Sequence, residues 1–253
     1  MSKSNKEADF GFKKVTADIK ENLVSKVFSS VASKYDLMND IMSLGIHRLW
    51  KNHLVRQIPV INNANIIDMA GGTGDVAFKI YHKYESLQTK LNLTIADFNE
   101  AMLQEGKNRA IDENVIGENI NWCHENGEKT SFKPNQFDFY TIAYGIRNFT
   151  NLTQAIKEAA RILKKNGKFY CLEFNQVEHE LLKKLYDFYS FHFIPKIGGL
   201  ITGDKASYEY FVESIRTFPT SVKFTELLED NGFSKAKFEK LTFGITTLYI
   251  AEK

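Results

Sequence analysis

Residues 65–75, NIIDMAGGTGD, decide the fold. Asn65 to Ala70 is an apolar run with a single acid, short enough to be a buried strand. Gly71-Gly72-Thr73-Gly74 follows at once. Small residues there let the backbone turn tightly and approach a ligand closely. An amphipathic helix pattern then continues to about Lys83, so the loop opens a helix N-terminus with free N–H groups. The loop alone does not choose its ligand. It also fits a tight strand-to-helix turn that binds nothing, and Gly72-x-Gly74-x-x-Ala77 satisfies the dinucleotide pattern.

Working outward, short apolar runs alternate with helical segments. LNLTIAD (91–97), NINWC (119–123), FDFYTIAYG (137–145) and GKFYCLEF (167–174) read as strands, with helices over 100–111 and 152–164. Helical patterns near 178–193, 206–217 and 222–231 precede two last strands, AKFEKL and GITTLYIAEK. This alternation means an α/β fold with a mostly parallel sheet and right-handed crossovers that place helices on both faces. Such a sheet binds its ligand beyond the strand carboxyl ends, near the switch point, where the glycine loop lies. Upstream, residues 16–58 are helical in pattern: Leu23, Val27 and Val31 recur at helical spacing, and Leu37, Ile41 and Leu44 are predicted to face inward. Pro59 and NNAN close that region. The expected organisation is an N-terminal helical extension or lid over residues 1–58, and a sheet domain over 59–253 with a helical insertion at about 178–218.

Composition narrows the partners. A chain of 253 residues with a net charge of +2 spreads its lysines evenly, so there is no electrostatic case for nucleic acid. No apolar run approaches the ~20 residues a bilayer span needs, and the N-terminus lacks the apolar region of a signal peptide. The two cysteines, Cys123 and Cys171, lie in strand-like runs without metal-ligand spacing. They read as free thiols in a reducing compartment, and no metal is expected. The expected location is cytoplasmic, peripheral at the inner face of the membrane.

Two aspartates sharpen the ligand. Asp68 ends the first strand just before the loop, and Asp97 ends the second. A carboxylate after strand two can accept both hydroxyls of a ribose, a charge-assisted contact of roughly 1.5–3 kcal/mol. An acid before the loop as well favours S-adenosylmethionine over a dinucleotide, whose pyrophosphate would repel it. Each aspartate alone could be a helix N-cap.

DMAGGTGD with ADFNEAML resembles motif I and its acidic follow-up in the class I S-adenosylmethionine methyltransferases. KYDLMNDIMSLGIHRLWK, YGIRNF, RILKKNGKFYCLEF, YDFYSFHFIPKIGGLITGD and YEYFVESIRTFP are similar to one family among them, the quinone C-methyltransferases of ubiquinone and menaquinone biosynthesis. The resemblance runs from about Phe10 to the C-terminus. It implies a Rossmann-like, seven-stranded sheet and an enzyme that uses S-adenosyl-L-methionine to methylate a ring carbon of a reduced polyprenyl quinol. That substrate is a 2-methoxy-6-polyprenyl-1,4-benzoquinol, a demethylmenaquinol, or both. Cofactor contacts carried over fall on Gly72, Thr73, Asp97, Asn126 and Gly127. Three departures stand out: Ala143 where the family often has serine, Lys165-Asn166 for Pro-Gly, and Asn175 for serine. The first and last put a polar contact in question.

Ring methylation needs placement and charge control, and the ring must be the reduced quinol, because a quinone carbon is electrophilic. Arg147, after strand four, is the catalytic candidate to hold a quinol oxygen directly or through water, and Asn148 to orient the ring or that water. The alternative for Arg147 is pairing with a nearby carboxylate. Tyr189 and His192, in LYDFYSFHF, are expected near the ring as part of an aromatic lining, although so many aromatics at helical spacing also suit a plain core. Tyr35, Met38 and Asn39 are expected to face the quinol from the lid, with His47 and Trp50 as anchors. A polyprenyl tail implies contact with a membrane surface or a quinone-biosynthesis complex, and a homodimer is a further expectation. Two other readings stay open: methylation of another small molecule, and a non-catalytic scaffold subunit.

Overall fold

The computed structural model describes residues 7–177, 180–196, 199 and 205–253. Strands β1 (Glu7–Phe10) and β2 (Lys13–Thr16) form an antiparallel hairpin ahead of helices α1 (Ala17–Val31), α2 (Tyr35–Ser43) and α3 (His47–Gln57). Then come β3 (Ala64–Met69), α4 (Asp75–Ser86), β4 (Leu91–Asp97), α5 (Glu100–Asp112), β5 (Ile120–His124) and β6 (Phe137–Ala143). The chain continues through α6 (Leu152–Ile162), β7 (Leu163–Phe174), α7 (Glu180–Phe188), a π-helical turn (Tyr189–Phe193), α8 (Lys205–Thr217), α9 (Ser221–Asp230), β8 (Ser234–Leu241) and β9 (Thr246–Glu252).

The large sheet has the order β5-β4-β3-β6-β7-β9-β8. It is parallel except at β9, which runs antiparallel to both β7 and β8. Chain order reverses between β3 and β6, so the 70–74 loop sits at the switch point, where such sheets bind ligands. Alternation along β3 sets the two cores. Ala64 and Ile66 join Trp50, Leu54, Phe78, Ile80, Leu103 and Phe211 on one face. Ile67 and Met69 join Ile156, Phe169, Phe224 and Tyr249 on the other. The isoleucine, leucine, methionine and phenylalanine side chains among them each contribute roughly 1.5–3 kcal/mol on burial. Asp68 shares the face of Ile66 by the same two-residue period.

The hairpin β1–β2 is absent from the sequence reading. It docks through Phe10, whose ring stacks on Tyr210 at 4.1 Å between centroids. The inward face of α2 also differs from expectation. Leu37 is 46% exposed and Leu44 75%, while Asn39 and Ser43 are buried. The reason is local: α2 ends at a left-handed Leu44 (φ 51), and the stripe Tyr35, Asn39, Ser43 turns toward the protein, leaving the leucines on the outer arc. The side chain of Ile41 lies outside the described residues. His47 and Trp50 are buried as anchors should be: His47 Nε2 lies 2.9 Å from Asp40 Oδ1, and Trp50 Nε1 donates to Thr242 Oγ1 at 2.8 Å. The Lys165-Asn166 departure is absorbed inside β7, where Asn166 takes φ 64, a conformation asparagine tolerates. Cys171 is buried and Cys123 half-buried, both free.

Candidate active site

Register brings the first acid and its partner together. Thr141 on β6 lies opposite Asp68 on β3, and its Oγ1 donates to Asp68 Oδ1 at 2.7 Å. Asp68 Oδ2 is buried without a well-formed hydrogen bond among the described residues. Burial pushes the carboxyl up to about 7, against the opposing pull of Thr141, Lys51 and the Ala77 N–H.

The second acid closes the other side of the loop. Gly72 N–H donates to Asp97 Oδ2 at 2.9 Å, and Asn99 N–H donates to Oδ1 at 2.8 Å. Burial nevertheless raises Asp97 to about 6. Gly72 has φ +53, and a Cβ there would lie 2.9 Å from Met102 Cε and 3.8 Å from Asp97 Oδ2. A side chain at 72 would therefore fill the space in front of the carboxylate. Thr73 is buried, its Oγ1 accepting from Arg109 Nη1 at 3.0 Å.

These groups line a cavity with about 1010 Å³ of empty space, open solvent at its mouth included. Its lining combines apolar side chains with a few convergent polar groups, as small-molecule sites do. Of the expected site residues, Tyr35, Gly72, Thr73, Asp97, Asn126, Gly127 and Asn148 line it, and Ala143 does too. Asn126 Nδ2 donates to Glu21 Oε1 at 2.6 Å, so this loop is tied to α1. Asn148 Oδ1 accepts from Tyr210 Oη at 2.9 Å.

Other expectations part from the structure. Arg147 is not among the lining residues, and its side chain is 2% exposed. Nη1 lies 2.6 Å from Glu173 Oε1, Nε donates to Ser214 at 3.2 Å, and the guanidinium sits 4.6 Å from the Phe211 ring centroid. Pairing with a carboxylate, the alternative reading, describes it. The reason is burial: Glu173 on β7 is fully enclosed, and an unpaired arginine or glutamate there would be costly. Tyr189 packs half-buried against the core, and His192 is exposed with Nδ1 3.2 Å from the Phe188 carbonyl oxygen. Neither lines the cavity. Asn39 is buried but not among the lining residues, its Nδ2 without a hydrogen-bond partner among the described residues. The side chain of Met38 lies outside the described residues. Asn175 lies off the cavity and uses its Nδ2 on Tyr249 Oη at 2.6 Å and Ser221 at 2.9 Å, so the departure there serves packing.

Two contributions went unread in the sequence. Glu21, Val24, Ser25 and Phe28 of α1 line the cavity. Their spacing marks a second helical stripe beside Leu23, Val27 and Val31. Helix α1 is held down by Lys20 Nζ on the Phe149 carbonyl at 2.7 Å and by Asn99 Nδ2 on Ser29 Oγ at 2.9 Å. Lys51 on α3 also lines the cavity, 2.7 Å from Asp75 Oδ2. Nothing in HRLWKNHLVRQ sets this lysine apart from the other basic residues of α3.

A family model described as the ubiE/COQ5 methyltransferase family matches residues 16–253. The chain belongs to that family. It is 47% identical over 247 residues to the ubiquinone/menaquinone biosynthesis C-methyltransferase UbiE of Rickettsia bellii, covering 98% of this chain and 99% of the relative. To the UbiE of Rickettsia rickettsii it is 46% identical over 245 residues, covering 97% and 98%. A SAM-dependent methyltransferase from Thermotoga maritima shares the fold with a TM-score of 0.63 at 17% identity, covering 90% of this chain and 98% of that one. Phosphoethanolamine N-methyltransferase 2 of Haemonchus contortus, solved with S-adenosyl-L-methionine, gives 0.58 at 14% identity, covering 83% and 52%. The ubiE/COQ5 family chain is thus a methyltransferase on the class I fold. Its two enclosed carboxyls and the open space before Gly72 fit a cationic adenosyl cofactor: hydroxyls suit Asp97, and positive charge suits Asp68, whose Oδ2 has no well-formed hydrogen bond among the described residues.

Proposed function

We propose that this chain is an S-adenosyl-L-methionine-dependent C-methyltransferase acting on a reduced polyprenyl quinol in ubiquinone or menaquinone biosynthesis. The observation that carries the reading is the near full-length identity to the UbiE C-methyltransferases. When bound, the cofactor supplies an electrophilic methyl group. The protein's part is to orient it and the ring, and to exclude water. Asp97 accepts the ribose hydroxyls, Gly72 and Thr73 line its course, and Asn126 and Gly127 flank the adenine. Tyr35 and Phe28 cover the ring, while Asn148, pinned by Tyr210, offers its amide to a quinol oxygen. Arg147 acts as a positioning residue: through Glu173 it fixes the 144–148 turn that carries Asn148.

Residues 1–58 serve as the lid and 59–253 as the catalytic domain. Among the described residues no helix is long and apolar enough to cross a membrane. The apolar tail of the substrate therefore calls for docking at a membrane surface or delivery within a biosynthetic complex. The test is methyl transfer from labelled cofactor to a prenylated quinol. Label is expected in the ring under reducing conditions only, and equal labelling of the oxidised quinone overturns the mechanism.

A further inference from the structure

Among the charged residues lining the cavity, acids predominate: Asp68, Asp75, Asp97, Glu21, Glu125 and Glu128. One lysine and no arginine lines it among the described residues, and that lysine is Lys51. Its side chain is 4% exposed, its Nζ contacts Asp75 Oδ2 at 2.7 Å, and it lies 5.9 Å from the centroid of the buried Tyr144 ring. A buried ammonium has three hydrogens, and Asp75 takes one of them. Asp75 is the first residue of α4, so Lys51 reaches from the N-terminal helices to the mouth of the glycine loop. Asp68, whose Oδ2 lacks a well-formed hydrogen bond, completes the group. Asp97 holds the Gly72 N–H of the glycine loop, while Lys51, Asp75 and Asp68 gather by the start of α4.

We infer that Lys51 holds the α-carboxylate at the amino-acid end of the cofactor, with Asp68 facing the α-ammonium group; this rests on the S-adenosylmethionine reading above. The amino-acid end is a zwitterion. An otherwise acidic cavity would welcome its ammonium and the sulfonium and repel its carboxylate, and Lys51 cancels that repulsion with a charge-assisted hydrogen bond. The lid helices thereby take part in cofactor binding.

Calorimetry with two ligands tests this: S-adenosylhomocysteine, and its analogue lacking only the carboxylate, S-adenosyl-3-thiopropylamine. Wild-type protein is expected to prefer the first by tenfold or more. Lys51→Met should weaken S-adenosylhomocysteine at least tenfold and the analogue no more than twofold, while Lys51→Arg keeps most of the preference. Asp75→Asn, which removes the ion-pair partner only, should leave the preference in place. Equal affinity of wild type for the two ligands, or equal weakening of both by Lys51→Met, overturns the inference. The first readout needs no variant to fold. Failure of wild type to bind either ligand would instead count against the cofactor reading itself.

Discussion

At the level of single residues, the two loop acids do different work. Asp97 already accepts two backbone N–H bonds, from Gly72 and Asn99, which orient both oxygens. Replacing it with alanine removes the ribose acceptor, and S-adenosylhomocysteine should bind roughly ten- to a hundredfold more weakly by calorimetry, the equivalent of ~1.5–3 kcal/mol. Unchanged affinity would displace Asp97 from the site. Arg147 and Glu173 form a different kind of pair, enclosed beneath the turn that lines the cavity and not themselves among its lining residues. Burial pushes Glu173 up, and the neighbouring Arg147 charge and the surrounding hydrogen bonds pull the other way. Arg147→Met or Glu173→Met alone should cost about 3–5 kcal/mol in denaturant unfolding, because each strands a buried charge. The double replacement should cost much less than the sum. Additive losses would mean that the two side chains do not act as a pair. The sequence placed Arg147 correctly just after its strand but aimed it into the pocket, which it does not line. It could not reveal the partner, because Glu173 lies 26 residues on, at the end of β7, and only the pairing of β6 with β7 brings the two chain segments together.

At the level of elements, the strand–loop–helix unit β3–α4 was legible because its signals are local: an apolar run, a glycine turn, a helical period. So were β4, whose bounds agree residue for residue, and the order of helices and strands downstream. What escaped is tertiary. The four-residue strands of β1–β2 carry too few residues for a period to show. The residues expected to face the quinol lie on α2, whereas α1 supplies more of the lining, because its mixed stripe of Glu21, Val24, Ser25 and Phe28 sits beside the stronger apolar repeat of Leu23, Val27 and Val31. Helix α5 shows the same limit. Gly106 reads as an ordinary helix-weakening glycine, yet a Cβ there would lie 2.9 Å from the Gly72 carbonyl oxygen and 2.6 Å from the Trp122 ring. The absent side chain lets α5 press on the loop that faces Asp97. Gly106→Ala should therefore destabilise by about 1–3 kcal/mol despite alanine's better helix propensity. It should also weaken S-adenosylhomocysteine binding. A more stable variant with normal affinity would show that the approach is not tight.

For the whole molecule, the site places a demand on the stability of the fold. Asp68 is enclosed in the sheet with one oxygen lacking a well-formed hydrogen bond, and its carboxyl titrates at about 7 when folded against 3.8 as a free group. A raised carboxyl holds its proton in the folded state after the unfolded chain has lost it. Its contribution to stability is therefore complete below about pH 4 and is lost as pH rises toward 7, at about 1.4 kcal/mol for each pH unit. Above 7 the loss levels off, because both states are then ionised. Other acids oppose this trend. Asp40 is held at about 2, by its Arg48 hydrogen bond first of all, so the total pH profile of the wild type does not isolate Asp68. Comparison with Asp68→Asn does. The amide keeps an oxygen for the Thr141 hydroxyl but carries no charge. Without ligand, the variant should match wild type near pH 4, gain steadily in melting temperature relative to it up to about pH 7, and keep a constant advantage beyond. Saturating S-adenosylhomocysteine should erase that advantage at pH 8, because the ligand's ammonium group rewards the ionised aspartate and not the amide. A pH-independent difference between the two proteins would mean that Asp68 is not held protonated. A variant that stays ahead with ligand bound would mean that its charge does not serve binding, and that the enclosed acid is a cost without a function.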